Sequence, residues 1–447
     1  MLGDLDHRWR PRRPWLIGVA VLVLLASALA ACQVPSRQPP AATREATMTA
    51  SYQGVTAKEL AHGRWSRLPA APIPDRNDPV GVWTGRELLV WGGQSGPHDL
   101  VVHGDGAAYD PARGVWQELP PAPLTPRTGA AAAWTGRELI IWGGYDHLGD
   151  NPGAFRVAGD GAAYDPARGA WRRLPPAPLS ARADATAVWT GREVLVVGGI
   201  PAVRTDRDRG FTDGAAYDPA RDTWRRLAPS PQPRGSLMAQ HLAWTGARLL
   251  VWSDWRQTLR SESVTLTNGE RGTEVESRDG VDVWAYDPTA DRWAVLPAAP
   301  GQPDLGGAVL VWTGEEVLSV TGRPYQGPVL DRDPGARYDP ARNGWRRLAD
   351  GPLDTAGLGA GLWTGAALLV WNGTSMRSGD PATDYGPGDG AAWDPAADRW
   401  VRLPRSPLGG ADGAVAVWTG RAALVWGGTW WPTPAVHTGM AFTPAGS

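Results

Sequence analysis

Cysteine is almost absent from this chain: Cys32 is the single one in 447 residues. No internal disulfide can form, and everything after Cys32 lacks a thiol nucleophile or thiolate ligand. Lysine is equally scarce. Lys58 stands alone, so no Schiff base can form on any later residue. The net charge of −2 carries no basic stripe, which argues against a nucleic-acid partner. No His/Cys motif has metal-ligand spacing, and no nucleophile elbow or zinc-protease motif occurs, so neither a metal nor a cofactor is expected. Stability must come from burial, and 42% hydrophobic residues supply an ample core.

Apolar runs are rare as well, with one exception at the start. Arg8, Arg10, Arg12 and Arg13 precede the run Trp15–Ala31, which ends in "LAAC", Leu29 to Cys32. This resembles the lipobox of bacterial lipoproteins, in which the cysteine thiol is acylated and the peptide is cut just before it. The resemblance implies a signal peptide over 1–31, lipidation at Cys32 and attachment to the extracytoplasmic side of a membrane in the bacterial envelope. An ordinary signal peptide or a spanning anchor is the alternative, since seventeen apolar residues just reach across a bilayer. Residues 32–63 begin rich in Pro, Ala and Thr without periodicity and read as a flexible tether.

The remainder is abundant in tryptophan, and the tryptophans recur. "WTG" begins at Trp83, Trp134, Trp189, Trp244, Trp312, Trp363 and Trp418. A "YDP"-like motif follows each time, at Tyr109, Tyr164, Tyr217, Tyr286, Tyr338, Trp393 and Phe442. A third set, Trp65, Trp116, Trp171, Trp224, Trp293, Trp345 and Trp400, stands three residues before leucine. A period near fifty residues, with diglycines after apolar strands such as "ELIIWGG", resembles the kelch-repeat family. The resemblance implies an all-β, seven-bladed propeller over 64–447 with four antiparallel strands per blade, and a monomer. The last repeat stops after its third strand, while "RWSRLP" at Arg64–Pro69 is a fourth strand with no blade before it. The N-terminal strand is therefore expected to complete the C-terminal blade and remove the open edges.

In a four-stranded meander the a–b and c–d turns share one face, and the b–c and d–a loops share the other. The first set repeats ("TGR", "DPARG"); the b–c loops do not, which leaves them free for ligands. In blade 4 that loop, 253–280, alternates around Asn268-Gly269 and reads as a projecting hairpin. The b–c loops of blades 7, 1 and 2 bring aromatics and histidines together: Trp430, Trp431, His437, His98, His103, Tyr145 and His147. Arg76, Arg127 and Arg182 each lie seven residues before a "WTG" tryptophan. They are expected either to hold anionic groups at the channel mouth or to make the structural pairing common in kelch repeats. The aspartates four before "YDP", such as Asp105, Asp160, Asp213 and Asp389, are expected to bond loop amides. The expected function is binding of a protein or glycan on this face. The alternative is a sialic-acid-like sugar-acid isomerase or lyase working by acid–base chemistry. Galactose oxidase shares the propeller but needs a cysteine cross-linked to a copper-bound tyrosine, so its copper-radical activity is not expected here.

Overall fold

The computed structural model describes residues 54–96, 101–147, 155–201, 210–231, 236–265, 271–299, 309–320, 335–353, 358–372, 388–407, 413–428 and 439–446. Residues Ala50–Ser447 form one compact unit that contains every described strand. Cys32 lies outside the described residues, as do His98, Asn268, Gly269, Trp430, Trp431 and His437.

Seven four-stranded antiparallel sheets follow one another along the chain. Blade 1 is typical: strand a is Val80–Trp83, b Leu88–Trp91, c Gly106–Asp110 and d Val115–Glu118. Strands a are lean in bulk because they converge on the axis. A Cβ on Gly81 would come within 2.2 Å of Val415 in the neighbouring blade. Strands b are buried along their whole length, as in Leu139–Trp142, because blades cover both of their faces. In each c–d turn the aspartate of "DP" accepts from the backbone N–H groups two and three residues on, as Asp110 does from Ala112 and Arg113.

The seventh blade closes the ring. Its order is Arg64–Arg67, Met440–Thr443, Ala423–Trp426, Val415–Trp418, with Trp65 opposite Phe442. The chain ahead of this strand adds one turn of helix, Ala57–Ala61, held by a Thr56–Glu59 capping box. Leu60 of that turn is fully buried in a cluster with Leu369 and Phe442.

The strand-d tryptophans staple neighbouring blades. Each indole N–H donates to a carbonyl just past strand d of the preceding blade: Trp116 to Pro69, Trp171 to Pro120, Trp224 to Pro175, Trp293 to Ala228, Trp345 to Pro297, Trp400 to Ala349 and Trp65 to Pro404, all at 2.8–3.0 Å. Within a blade the same ring packs on the "YDP" tyrosine, with centroids 5.0 Å apart for Tyr109 and Trp116. A second staple joins some blades. Arg225 holds Glu193 at 2.7 Å and reaches Tyr286 of blade 4, whose hydroxyl donates to Asp291. Burial and that carboxylate push the Tyr286 hydroxyl up to about 12. In blade 4, strands b and c run on as a long ladder, Leu249–Thr265 against Arg271–Asp287.

Candidate functional site

The three mouth arginines are interior groups. Arg76, Arg127 and Arg182 are 2%, 1% and 0% exposed. Each guanidinium meets the aspartate ahead of its own blade's strand c: Asp105 at 2.7 Å, Asp160 at 2.9 Å and Asp213 at 2.6 Å. Each also donates to the first carbonyl of its own blade's diglycine, at Gly92, Gly143 and Gly198. The Arg182 guanidinium lies over the Phe211 ring, 3.8 Å from its centroid. The expectation that these arginines offer themselves to anions is thereby corrected, and the structural pairing is what they make. Apart from Arg182 Nη2, whose group lies over Phe211, each guanidinium nitrogen has a partner, and a buried guanidinium without such partners would be costly. Asp105, Asp160 and Asp213 accordingly bond guanidinium groups, and Asp105 takes a backbone N–H as well. Asp389 takes Arg405 at 2.7 Å.

The same loops explain the diglycines. Gly428, Gly93 and Gly144 donate their N–H to the carbonyls of Arg76, Arg127 and Arg182, each in the next blade. The residue before each donor lies so close that a Cβ on Gly92 would sit 2.6 Å from the Arg127 carbonyl oxygen. These glycines have positive φ, 69° at Gly92 and 91° at Gly93. The diglycines of blades 7, 1 and 2 thus pack against the arginine loops of blades 1, 2 and 3, while blade 4, which follows the blade 3 diglycine Gly198-Gly199, has Leu237 at the matching position.

Over this scaffold lie groups that do not repeat. In blade 1 the Ser95 hydroxyl and His103 Nε2 are 2.8 Å apart, and His103 Nδ1 is 4.0 Å from Asp105. The order Ser–His–Asp matches a nucleophilic relay, but 4.0 Å is not a hydrogen bond and Asp105 is committed to Arg76. Burial, then the Arg76 charge, hold His103 below its ordinary value against the pull of Asp105, which keeps the ring neutral near pH 7. Burial opposes ionisation of Asp105, but the Arg76 bond and charge prevail and lower its pKa.

In blade 2 a hairpin pairs Tyr145–His147 with Phe155–Val157. Asp146 is buried, and Arg156 clasps it at 2.5 Å while leaving 55% of its own side chain exposed. Thr125 donates to the same carboxylate. The half-buried Tyr145 donates to Asp184 of blade 3 at 3.1 Å. Asp184 sits at φ 53°, and its backbone N–H donates to Gly129 of blade 2. Sequence reasoning placed Tyr145 and His103 at this mouth and missed Asp184 and Arg156. Asp184 was legible only as an aspartate where blade 2 has Gly129. The hairpin thus carries two separate pairs from successive residues, Tyr145 with Asp184 of blade 3 and Asp146 with Arg156; His147 follows on the same strand.

The large described cleft lies on the opposite face. It measures about 1000 Å³ between blades 3 and 4 and is lined by Arg192, Arg221, Arg225, Arg248, Trp244, Asp287 and Asp291 among others. It is built from the repeated turns, not from the variable loops. Among the described residues no three His, Cys, Asp or Glu side chains converge as metal ligands.

Seven tandem sheets with this register and these turns decide the matter. The chain is a seven-bladed β-propeller of kelch-like repeats. Curated proteins agree at low identity. An F-box/kelch-repeat protein of Arabidopsis thaliana is 26% identical over 171 residues, 34% of this chain and 43% of that protein. An N-acetylneuraminate epimerase of Haemophilus influenzae is 25% identical over 204 residues, 38% of this chain and 53% of the enzyme. The kelch propeller thus spans about half the length of these relatives. Kelch-like protein terF of Aspergillus terreus is 22% identical over 328 residues, 70% of this chain and 65% of that protein. Among solved structures, a fungal alcohol oxidase of the AA5 family in complex with copper superposes with a TM-score of 0.54 at 14% identity, covering 86% of this chain and 76% of the oxidase. That likeness concerns the fold. No family model matches the chain.

Proposed function

We propose that this kelch propeller is a binding domain held on the extracytoplasmic face of a bacterial membrane through Cys32, and that a glycan docks on its b–c/d–a mouth over blades 1 to 3. The observation that carries the reading is the blade 2 hairpin, whose successive residues carry two unrepeated pairs on a rigid repeated frame: the half-buried Tyr145 ring on Asp184 of blade 3, and the buried Asp146 on the half-exposed Arg156. Such a ring and such polar groups suit a sugar face and its hydroxyls. The repeated frame, with its arginines spent internally, supports a positioning role rather than contact. The test is a glycan and protein binding screen on residues 50–447, followed by calorimetry of Tyr145→Ala and Arg156→Gln. Each should lose about ten- to a hundred-fold in affinity, the worth of one charge-assisted bond or stacked ring. A ligand whose affinity is unmoved by both substitutions lies elsewhere.

A second reading has one specific support. The neutral, Ser95-bonded His103 is a fit general base, and an epimerase of N-acetylneuraminate is among the relatives. Proton NMR of N-acetylneuraminate incubated with the domain checks it: interconversion beyond the uncatalysed rate, abolished by His103→Gln, supports an enzyme, and no acceleration removes this reading.

A further inference from the structure

Arginine and aspartate are paired in opposite senses on the two faces, although exposed Arg173 and Arg226 also meet the mouth aspartates and Asp222, Asp291 and Asp398 are partly exposed at the c–d turns. At the mouth the arginines are buried and their aspartates are about half exposed. On the a–b/c–d face the pattern inverts. Asp110, Asp165, Asp218 and Asp339 are 6% exposed, while the arginines beside them stand out in solvent. Arg421, Arg86, Arg137, Arg192 and Arg248 occupy the a–b turns of five consecutive blades, 7, 1, 2, 3 and 4, and all are exposed. Arg86 and Arg137 meet aspartate at only 3.5 Å, with side chains 72% and 66% exposed. Arg168, Arg221 and Arg342 add a second row at the c–d turns. The arc is open at blades 5 and 6, which have Glu315 and Ala366 instead.

The chain enters at that gap. Val55 bridges Gly365 in the blade 6 a–b turn, and its carbonyl accepts from the Thr364 hydroxyl. The first described residues, from Gly54, thus lie at the arginine-bearing face. Cys32 lies 22 residues before Gly54, so an anchor there is at most about 80 Å away.

We propose that this arginine arc is a docking surface for an anionic phospholipid bilayer, which seats the kelch propeller with its loop-bearing mouth directed away from the membrane. Planar guanidinium groups match phosphate oxygens, and exposed ones meet headgroups while their buried aspartates do not. The surface stands on the inverted pairing alone; it rests on the Cys32 anchor only for being delivered to a bilayer.

The test separates the two. Residues 50–447 carry all seven closed blades and no lipid. They are sedimented with phosphatidylcholine vesicles containing none or about a third phosphatidylglycerol. Binding should require the anionic lipid and fade with salt. Each basic side chain near such a surface is worth about five-fold in partitioning. Changing Arg86, Arg137, Arg192, Arg248 and Arg421 together to Gln should therefore cost at least about thirty-fold. The same substitution at Arg173, Arg226, Arg347 and Arg402, exposed on the outer strands, and at exposed Arg405 just past one of them should cost under three-fold, and equal circular dichroism of both variants shows that each folds. Equal losses in both variants, binding to neutral vesicles, or binding only to a soluble polyanion such as heparin would each overturn the proposal. Fatty-acid labelling of Cys32 tests the anchor and leaves this result untouched.

Discussion

Closure by Trp65 sets a quantitative demand on stability. The indole packs 5.0 Å from Phe442 and 5.5 Å from Trp371, and its N–H donates to the Pro404 carbonyl at 2.9 Å. Truncating a buried Trp to Ala costs about 3–5 kcal/mol, and the partial exposure of Trp65 places it near the lower end. Trp65→Phe keeps an aromatic ring but loses the N–H and part of the indole's bulk, so about 1–2 kcal/mol is expected. Starting the chain at Ala70 removes Leu60 and Leu68 too, 0% and 6% exposed, at about 1.5–3 kcal/mol each. It also bares Met440–Thr443 as an open edge. The truncation therefore loses about 6 kcal/mol or more, most of the net stability of many domains. Urea unfolding followed by fluorescence reads the three proteins against wild type, and the order must be Phe, then Ala, then truncation. Equal midpoints for wild type and truncation would refute velcro closure by this strand.

Arg127→Gln should destabilise by about 2–3 kcal/mol, below a fully buried pair because Asp160 is half exposed. Unchanged urea unfolding with a lost ligand response would return this arginine to the binding site. His103 has a folded pKa below its unfolded value, so the unfolded chain takes up the proton first, and stability is complete above about pH 6.5 and falls as pH drops from there toward the lowered value. His103→Gln should flatten that part of the stability–pH curve; an identical slope in both proteins would remove the histidine as its source. Cys32→Ser should abolish incorporation of a clickable fatty acid in cells, and equal labelling would end the lipobox reading. Glu193→Gln should weaken the Arg225 staple between blades 3 and 4 by about 1 kcal/mol, read as a lower urea midpoint.

Local repetition carried the architecture. Three tryptophan- and tyrosine-bearing motifs written seven times oblige seven equivalent packing environments, and a stray fourth strand at Arg64 has one place to go, so fold and closure follow from pattern. Burial at the mouth does not follow from pattern. Whether Arg76, Arg127 and Arg182 face solvent depends on the diglycine loops packed against them, and the contact with the preceding blade joins residues 34 or 38 positions apart in the chain, and 352 apart at the ring closure. Only the assembled ring shows that the mouth arginines point inward onto Asp105, Asp160 and Asp213 while the turn arginines point outward. Charge composition is the same in either arrangement; solvent exposure, a property of tertiary packing, decides which partner of these pairs meets the solvent.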